Sequence, residues 1–243
     1  MILLAEALRE RVCRANLELV DRGLVMGTFG NVSGADREAG LFVIKASGVP
    51  YDQLTAEHMV PISIETGLPL ETRFRPSSDT PTHHELYRAF PCAGVAHTHS
   101  EFATAFAQAS ASIPCMGTTH ADYFCGDVPV TRPMTEEEVQ ADYERNTGLV
   151  IVETFVTMHL SPEEVAAVLV ANHGPFTWGG DALEAVDRAE VLEYLARMER
   201  TRRIVDPDAP RPADYLVNKH FTRKHGRDAY YGQPPHPDRP PRT

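Results

Sequence analysis

The chain has 243 residues, of which 42% are hydrophobic, and a formal net charge of −11 at pH 7. This length and apolar content are sufficient for one domain with a full hydrophobic core. The acidic balance argues against nucleic acid as a partner, and no apolar stretch approaches the length needed to span a membrane.

The first predicted element is a helix. Apolar residues recur at spacings of three and four in Leu4, Leu8, Val12, Ala15 and Leu19. This spacing predicts an amphipathic helix over residues 2–22 that ends at Gly23. The segment carries acidic residues and has no small-residue cleavage site, so it does not read as a secretory signal, and we expect a cytoplasmic protein.

Extended and helical segments alternate in the middle of the chain. LFVIKASG predicts a buried strand followed by a turn. DTPTHHELYRAF predicts a helix, with Asp79 and Thr80 as candidate caps and Pro81 in the first turn. GVAHTH predicts the next strand, after which Ser100 can cap a helix that runs through Ala109.

The second half of the chain predicts two further helix starts, a strand and a long helix. TEEE at 135–138 and SPEE at 161–164 both fit the capping box. VLVANHG predicts a strand that ends at His173, and residues 181–200 predict a long helix. The final segment, GQPPHPDRPPRT, has five prolines and little apolar content, which predicts disorder.

Histidines stand at the ends of two predicted strands. His97 and His99 lie two residues apart, so in an extended chain both imidazoles project from one face. His173 could come round to meet them, and Asp79 could add a carboxylate. Three histidines and one carboxylate suit a borderline divalent ion such as zinc. The open alternative is that these histidines are polar strand-end residues with main-chain partners.

Small residues cluster in three further turns, GTFGNVSG (27–34), KASG (45–48) and SS (77–78). Free amides and hydroxyls at the ends of elements can surround an oxyanion, and KASG adds the cation of Lys45. Each turn alone is more typical of an ordinary loop, but three in one chain make a phosphate pocket plausible. None matches a Walker loop or a GxGxxG motif, so nucleotide binding is not indicated.

Taken in order, these segments resemble the class II aldolase and adducin-like family. The resemblance rests on GTFGNVSGAD, FVIKASGVPYDQL, PSSDTPTHHELYRAFP, VAHTHS, GTTHADYF, NHGPFTWG and KHGRDAYYGQ. It runs from the first helix to about Gln233. It implies a single α/β domain over residues 1–233, in which helices flank both sides of a mainly antiparallel sheet, followed by a proline-rich tail over 234–243.

The resemblance also implies residue roles. With Lys45 included, the substrate-binding residues are Gly30, Asn31, Lys45, Ser47, Gly48, Ser77, Ser78, Asp79 and His220. The metal ligands are Asp79, His97, His99 and His173, with Zn²⁺ as the expected ion and another divalent cation possible. Asp122 and Tyr231 are the implied catalytic acid/base residues.

The activity implied by the resemblance is zinc-dependent epimerisation at C4 of L-ribulose 5-phosphate, giving D-xylulose 5-phosphate. The implied route is retro-aldol cleavage, rotation of the aldehyde and re-addition. Epimerases of this family have sites between the subunits of a four-fold symmetric tetramer, so we expect a homotetramer in which a neighbour supplies the acid/base groups. The chain departs from the family pattern at Ala46, where proline is expected, and in the residues beyond Gln233.

Two alternatives remain open at this point. One is a class II sugar-phosphate aldolase, such as one acting on L-fuculose phosphate, and the other is a non-catalytic adducin-like binding module. The family's aldolases carry glutamate after the double serine, whereas this chain has the shorter Asp79, which favours the epimerase. The presence of all three metal histidines argues against a silent module. Arabinose and ascorbate degradation both use the epimerase step, and the sequence does not distinguish them.

Overall fold

A single antiparallel sheet forms the centre of the computed structural model, which describes residues 2–226 and 229–231. Its six strands are β1 (Asn31–Asp36), β2 (Leu41–Lys45), β3 (Met59–Ser63), β4 (Gly94–His97), β5 (Ala167–Leu169) and β6 (Pro175–Gly179). Their order across the sheet is β3-β2-β1-β4-β6-β5, and every neighbouring pair is antiparallel. The predicted α/β class with a central antiparallel sheet is therefore confirmed.

Helices cover both faces of the sheet. Those in the described ranges are α1 (Ile2–Asp21), α2 (Thr80–Ala89), α3 (Glu101–Gln108), α4 (Thr118–Ala121), α5 (Glu136–Ala141), α6 (Tyr143–Thr157), α7 (Ala182–Val205) and α8 (Asp214–His225). Two short 3₁₀ turns, Tyr51–Gln53 and Ala56–His58, lie between β2 and β3. No helix in this part of the chain is long and apolar enough to cross a membrane.

The apolar run of β2 shows how the sheet becomes buried on both sides. Phe42 and Ile44 pack in the cluster formed with α2 and α6, whereas Val43 packs in the cluster formed with α1 and α7. This alternation follows the two-residue period of a strand. Fully burying each such side chain stabilises the fold by about 1.5–3 kcal/mol, so a continuous apolar run is favoured in a strand covered by helices on both faces.

A third apolar cluster fixes the segment that carries α4. Phe106 of α3, Phe124 just after α4 and Leu169 of β5 pack together with Leu192 and Leu195 of α7. Phe124 is fully buried in this cluster. Because α4 ends three residues before Phe124, this burial fixes the position of α4. This packing determines where Asp122, two residues before Phe124, meets α8.

The two capping-box predictions have different outcomes. The TEEE box is confirmed, since the Thr135 hydroxyl accepts from the Glu138 amide and the Glu138 carboxylate accepts from the Thr135 amide. The SPEE prediction of a helix is wrong, because Pro162–Glu164 form only a turn. The chain enters the buried β5 directly afterwards, so Val165 lies in the core beside the sheet and a helix has no room to continue.

Element boundaries also differ from the predictions. The first helix is confirmed, ending at Asp21, and the long helix α7 continues to Val205 rather than ending at residue 200. The strand predicted to end at His173 ends at Leu169, and His173 lies in the turn that follows. The proline-rich tail and the predicted domain boundary at Gln233 lie outside the described residues.

Candidate metal and substrate site

Three imidazoles meet at one end of the central sheet. His97 is the last residue of β4, His99 follows two residues later, and His173 lies in the turn between β5 and β6. Ring nitrogens of the three residues all lie within 4.8 Å of one another. The Nε2 atoms of His97 and His99 are 3.1 Å apart. Strand order brings these histidines together because β4 and β6 are neighbours in the sheet.

The turn that carries His173 depends on its two neighbours. Asn172 has φ +62°, a left-handed conformation that asparagine tolerates better than most residues. A Cβ atom added to Gly174 would lie 2.8 Å from the carbonyl oxygen of Thr98, so the close approach of the turn to the strand end requires glycine there. The Asn-His-Gly sequence is therefore suited to presenting His173 to the other two histidines.

His97 is held in a defined orientation. Its Nδ1 donates to the carbonyl oxygen of Pro175 at 3.0 Å, and its ring stacks on Phe176 with centroids 4.1 Å apart. Because Nδ1 carries the proton, Nε2 is left with a lone pair directed at His99. A main-chain acceptor behind a histidine is a common way to fix the tautomer of a metal ligand.

His99 and His173 are held in the neutral form. Burial, followed by neighbouring His97 and His99, lowers the pKa of His173 to about 4, although Asp79 opposes them. Burial, followed by His97, also lowers the pKa of His99. Neutral imidazoles are the form that binds metal ions, so these two residues require little deprotonation near pH 7.

Asp79 lies beside the three histidines. Its Oδ2 accepts a hydrogen bond from Nδ2 of Asn31 at 2.6 Å. Burial raises the pKa of Asp79, but His97, His83 and the Asn31 hydrogen bond together hold it below its ordinary value. Asp79 occupies the N-cap position of α2, yet its side chain makes no capping hydrogen bond, so its predicted capping role is wrong.

These donors fit a divalent ion. Three imidazoles with an ionised carboxylate beside them are the nitrogen and oxygen ligands that zinc and similar borderline ions accept. Asn31 adds a buried Oδ1 atom that has no hydrogen-bond partner among the described residues. His97, His99 and His173, with Asp79 adjacent, could therefore hold such an ion.

The three small-residue turns also meet. The Ser77 amide donates to the Lys45 carbonyl at 2.9 Å, and the Ser47 amide donates to the Arg75 carbonyl at 2.9 Å. The side chain of Asn31 donates to the Ser77 hydroxyl at 3.2 Å, which ties the first turn to the other two. Because Asn31 also binds Asp79, the convergence of the turns lies next to the histidine cluster.

Glycines and exposed serines shape the three small-residue turns. Gly30 and Gly48 have φ values of +75° and +71°, which side-chain-bearing residues rarely adopt. A Cβ atom on Gly30 would lie 2.9 Å from the carbonyl oxygen of His97, so this turn packs directly on the histidine strand. Ser47 and Ser78 are exposed, as an anion-binding loop requires.

Lys45 is a buried cation at the centre of these turns. Its residue is 2% exposed, and Nζ lies 3.4 Å from the carbonyl oxygen of Ala46 and 4.9 Å from the ring centroid of Tyr51. Burial lowers its pKa. Among the described residues no carboxylate forms an ion pair with Lys45, so an anionic ligand would supply the missing counter-charge.

A second cluster of polar residues forms where α4 meets α8. The Asp122 carboxylate accepts from Nδ1 of His220 at 3.1 Å and from Nε and Nη2 of Arg223 at 3.1 and 2.9 Å. Tyr231 covers the Arg223 guanidinium, with 4.1 Å from Cζ to the ring centroid. Burial raises the pKa of Asp122, but hydrogen bonds from Arg223 and then His220 hold it below its ordinary value.

The structure thus separates the predicted residues into two groups. Within residues 2–226 and 229–231, no hydrogen bond, ion pair or ring contact joins Asp122, His220 or Tyr231 to the metal-site histidines. In the described part of the chain, the histidines and small-residue turns therefore form one group of contacts, and the predicted acid/base residues form another.

Sequence reasoning missed several residues at these places. Tyr51 donates to the Gly30 carbonyl at 3.0 Å, and the Tyr143 hydroxyl lies 3.4 Å from Nδ1 of His173. Phe176 lies opposite His97 in the strand register, and local sequence pattern does not supply that register. Arg223 directly precedes the KHGRDAYYGQ segment that carries the family resemblance, but its partner is 101 residues away.

Comparison with known proteins identifies the family. Residues 10–200 match the profile of the Class II Aldolase and Adducin N-terminal domain family. The chain belongs to this family. Class II aldolases typically depend on a divalent metal ion, and the three-histidine cluster is a group that could bind one.

Some relatives within the family share about half of their residues with this chain. The chain is 52% identical over 229 residues to the L-ribulose-5-phosphate 4-epimerase UlaF of Salmonella paratyphi A and to that of Salmonella typhi, with 94% of this chain and 99% of each relative covered. Among solved structures, an L-fuculose 1-phosphate aldolase aligns with a TM-score of 0.75 at 24% identity, covering 89% of this chain and 95% of that one. The L-fuculose-1-phosphate aldolase of Thermus thermophilus aligns with a TM-score of 0.66 at 24% identity, covering 83% and 98%. At this identity the structures show the fold alone.

Proposed function

We propose that this protein is an epimerase that inverts C4 of L-ribulose 5-phosphate and so forms D-xylulose 5-phosphate. The observation that carries the proposal is 52% identity to proteins named L-ribulose-5-phosphate 4-epimerase over 94% of the chain. The assembled histidine cluster and the converging turns beside it support it, because they supply groups suited to a phosphorylated sugar.

The chemistry of the substrate favours carbon–carbon cleavage. C4 lies beta to the C2 ketone, so its hydrogen is not acidified by the carbonyl. In a retro-aldol step the C4 hydroxyl loses its proton, the C3–C4 bonding pair moves toward the C2 carbonyl, and glycolaldehyde phosphate separates from a three-carbon enediolate. Rotation of the aldehyde and re-formation of the bond on its other face return the proton to O4 and give the epimer.

Four residues would hold the metal ion in this proposal, His97, His99, His173 and Asp79. Zn²⁺ is the proposed ion because it accepts nitrogen and oxygen ligands together. A bound divalent ion supplies Lewis-acid stabilisation of the negative charge that develops on the substrate oxygens.

The small-residue turns hold the substrate phosphate. The residues assigned to this role are Gly30, Asn31, Lys45, Ser47, Gly48, Ser77 and Ser78. Lys45 is buried without a carboxylate partner among the described residues, and Ser47 and Ser78 are exposed next to it in the joined turns. These groups keep the aldehyde fragment tethered by its phosphate while it rotates, which prevents its loss as a separate product.

Asp122 and Tyr231 accept and donate the O4 proton on the two faces of the aldehyde, and His220 orients Asp122. A proton acceptor and donor are needed on opposite faces because re-addition occurs on the other side of the carbonyl. Since these residues make no contact with the histidine cluster of their own described chain, a neighbouring subunit of a four-fold symmetric homotetramer supplies them.

The charged sugar phosphate also supports a cytoplasmic location, because such a group does not cross a bilayer unaided.

The test is incubation of the zinc-loaded protein with L-ribulose 5-phosphate, with coupled detection of D-xylulose 5-phosphate. We expect the pentulose product without accumulation of glycolaldehyde phosphate. Stoichiometric release of two fragments would instead identify an aldolase, the activity named for the structural relatives at 24% identity. Neither product nor fragments would indicate a non-catalytic binding module.

A further inference from the structure

Arg223 contacts both of the proposed acid/base residues. Its guanidinium forms a two-point contact with Asp122, Nε to Oδ1 at 3.1 Å and Nη2 to Oδ2 at 2.9 Å. Cζ of the same guanidinium lies over the Tyr231 ring, 4.1 Å from its centroid. In addition, the main-chain carbonyl of Arg223 accepts from the Tyr231 amide at 3.1 Å. Arg223 therefore fixes the positions of both the Asp122 carboxylate and the Tyr231 phenol.

The arrangement leaves Asp122 little freedom. His220 and Arg223 are three residues apart, so both project from one side of α8 toward α4. His225 binds the main-chain carbonyl of Asp122 through Nε2 at 2.9 Å. Together His220 and Arg223 occupy three of the roughly four acceptor positions of the carboxylate, which leaves one position for a proton from another molecule.

We propose that Arg223 is a positioning residue of the epimerase site, which holds Asp122 and Tyr231 as one preformed unit for presentation to the substrate. This inference rests on the proposed function. The planar guanidinium of Arg223 makes two contacts with the Asp122 carboxylate, and it also attracts the aromatic ring of Tyr231. The ammonium group of lysine cannot reproduce this combination. Preformed geometry of this kind accelerates the chemical step without adding substrate contacts.

Arg223 also sets the charge state of Asp122. Burial raises the pKa of Asp122, and Arg223 is the first of the groups that lower it, followed by His220. Removal of Arg223 therefore raises the pKa of Asp122. A reaction that needs the ionised carboxylate then loses rate on the acid side, so the acid limb of the kcat/KM profile moves to higher pH.

A matched control exists a short distance away in the sequence. Arg211 forms a similar two-point pair with Asp127, with both nitrogen–oxygen distances 2.8 Å. This pair also ties the region around α4 to the segment that leads into α8, but it includes neither acid/base residue. Loss of Arg211 therefore reports the purely structural consequence of breaking such a pair.

The experiment compares wild type, Arg223→Ala, Arg223→Lys and Arg211→Ala in kcat, KM, pH profile and bound zinc. We expect Arg223→Ala to lose about ten- to hundredfold in kcat, as for a charge-assisted hydrogen bond, with KM within about twofold of wild type. Arg223→Lys should retain part of the rate, and added guanidinium at tens of millimolar should restore part of it to Arg223→Ala. Arg211→Ala should match wild type, and zinc content should be equal in all four proteins.

Three results would overturn the inference while leaving the proposed function in place. An unchanged kcat in Arg223→Ala would show that the residue is not needed for the chemical step. A raised KM with unchanged kcat would make Arg223 a substrate-binding residue. Equal losses of kcat in Arg211→Ala and Arg223→Ala, without guanidinium rescue, would show that Arg223 has only a structural role. Inactive wild-type protein would overturn the proposed function itself and the inference with it.

Discussion

The carbonyl oxygen of Pro175 accepts a hydrogen bond from Nδ1 of His97 at 3.0 Å. Since the proton is on Nδ1, the lone pair of Nε2 faces the Nε2 atom of His99, 3.1 Å away. Two ring nitrogens at this distance share one proton at most, and a metal ion offers both of them a partner at once. The main chain of β6 thus prepares the side chain of β4 for metal binding before any ion arrives.

Replacement of His99 by alanine should therefore abolish metal retention and turnover. One of three nitrogen ligands is removed, so we expect divalent-ion affinity and kcat/KM each to fall by at least about a hundredfold, while the fold is kept. Metal content, zinc titration and the coupled epimerase assay measure these effects. His159→Asn is the control, because His159 is an exposed histidine beyond the end of α6. Retained metal and wild-type activity in His99→Ala would rule out the metal assignment.

Loss of the buried cation should weaken phosphate binding. Lys45→Met keeps most of the side-chain volume but removes the charge that has no carboxylate partner among the described residues. We expect KM for L-ribulose 5-phosphate, and the inhibition constant of inorganic phosphate, to rise by about tenfold or more, with a smaller change in kcat. Arg73→Gln, which removes an exposed cation paired with Glu57, should leave both constants unchanged. Equal effects of the two substitutions would point to overall charge instead of a phosphate site.

The grouping of the histidines could be anticipated from local patterns. The two-residue spacing of His97 and His99 and the strand-like run before His173 each predict an imidazole at the end of a strand, and antiparallel neighbours bring such ends together. Asp79 is predicted to add a carboxylate to these histidines, but its hydrogen bonding is not predicted. It has the position of a helix cap, but Asn31, 48 residues away, donates to its carboxylate at 2.6 Å. Local pattern cannot reveal that competition because it depends on strand order.

Arg223 marks the limit of sequence reasoning in the same way. Its contact with Asp122 spans 101 residues and depends on how α8 packs on α4. The helix wrongly predicted at SPEE fails for a related reason, since burial of Val165 next to β5 outweighs a local capping signal. Periodicity reports which residues are apolar, whereas these features are determined by which elements become neighbours.

Buried His120 should make folding stability depend on pH. Burial lowers its pKa from 6.5 to about 4, partly opposed by a hydrogen bond with the main chain of Gly126 and by Asp127 and Glu199. Between these two values the unfolded chain binds the proton and the folded chain does not. The stabilisation is therefore complete above the unfolded pKa and is lost as pH falls toward the folded one. From pH 7.5 to 5.0 this residue alone should cost roughly 2 kcal/mol of unfolding free energy.

Urea unfolding of wild type and His120→Gln at both pH values, with a chelator present, measures that contribution. Glutamine cannot take up the proton, so the variant should show a pH dependence smaller by roughly 2 kcal/mol. The remaining dependence includes His83, whose pKa burial lowers to about 3. His159→Asn should behave like wild type. An identical pH dependence in wild type and His120→Gln would show that His120 does not carry this effect.

Mixed oligomers test whether the active site is shared. His97→Ala subunits lack a metal ligand, and Tyr231→Phe subunits lack the proposed proton donor, so each should be inactive alone. If a neighbour supplies Tyr231, random mixing in equal amounts gives about one quarter of the sites a complete set of residues. Unfolding the two proteins together, refolding them and measuring specific activity checks this. Complete inactivity, with subunit mixing verified by a size-tagged copy, would argue that each site is built within one subunit.

Isotope exchange distinguishes bond cleavage from proton removal at C4. In the retro-aldol route the C4 hydrogen stays attached to the aldehyde carbon while the C3–C4 bond breaks and re-forms. In the proposed mechanism, the proton that Asp122 and Tyr231 exchange with the substrate is the one on O4. Turnover in heavy water should therefore leave C4 without deuterium, as measured by NMR or mass spectrometry of the D-xylulose 5-phosphate formed. Added NAD should have no effect on rate, because oxidation and re-reduction at C4 play no part in the proposed route and the sequence has no GxGxxG motif.

As a positive control, water-exchangeable positions next to the ketone should acquire deuterium under alkaline conditions. Deuterium appearing at C4 in step with product would require direct deprotonation of that carbon and would exclude the cleavage route.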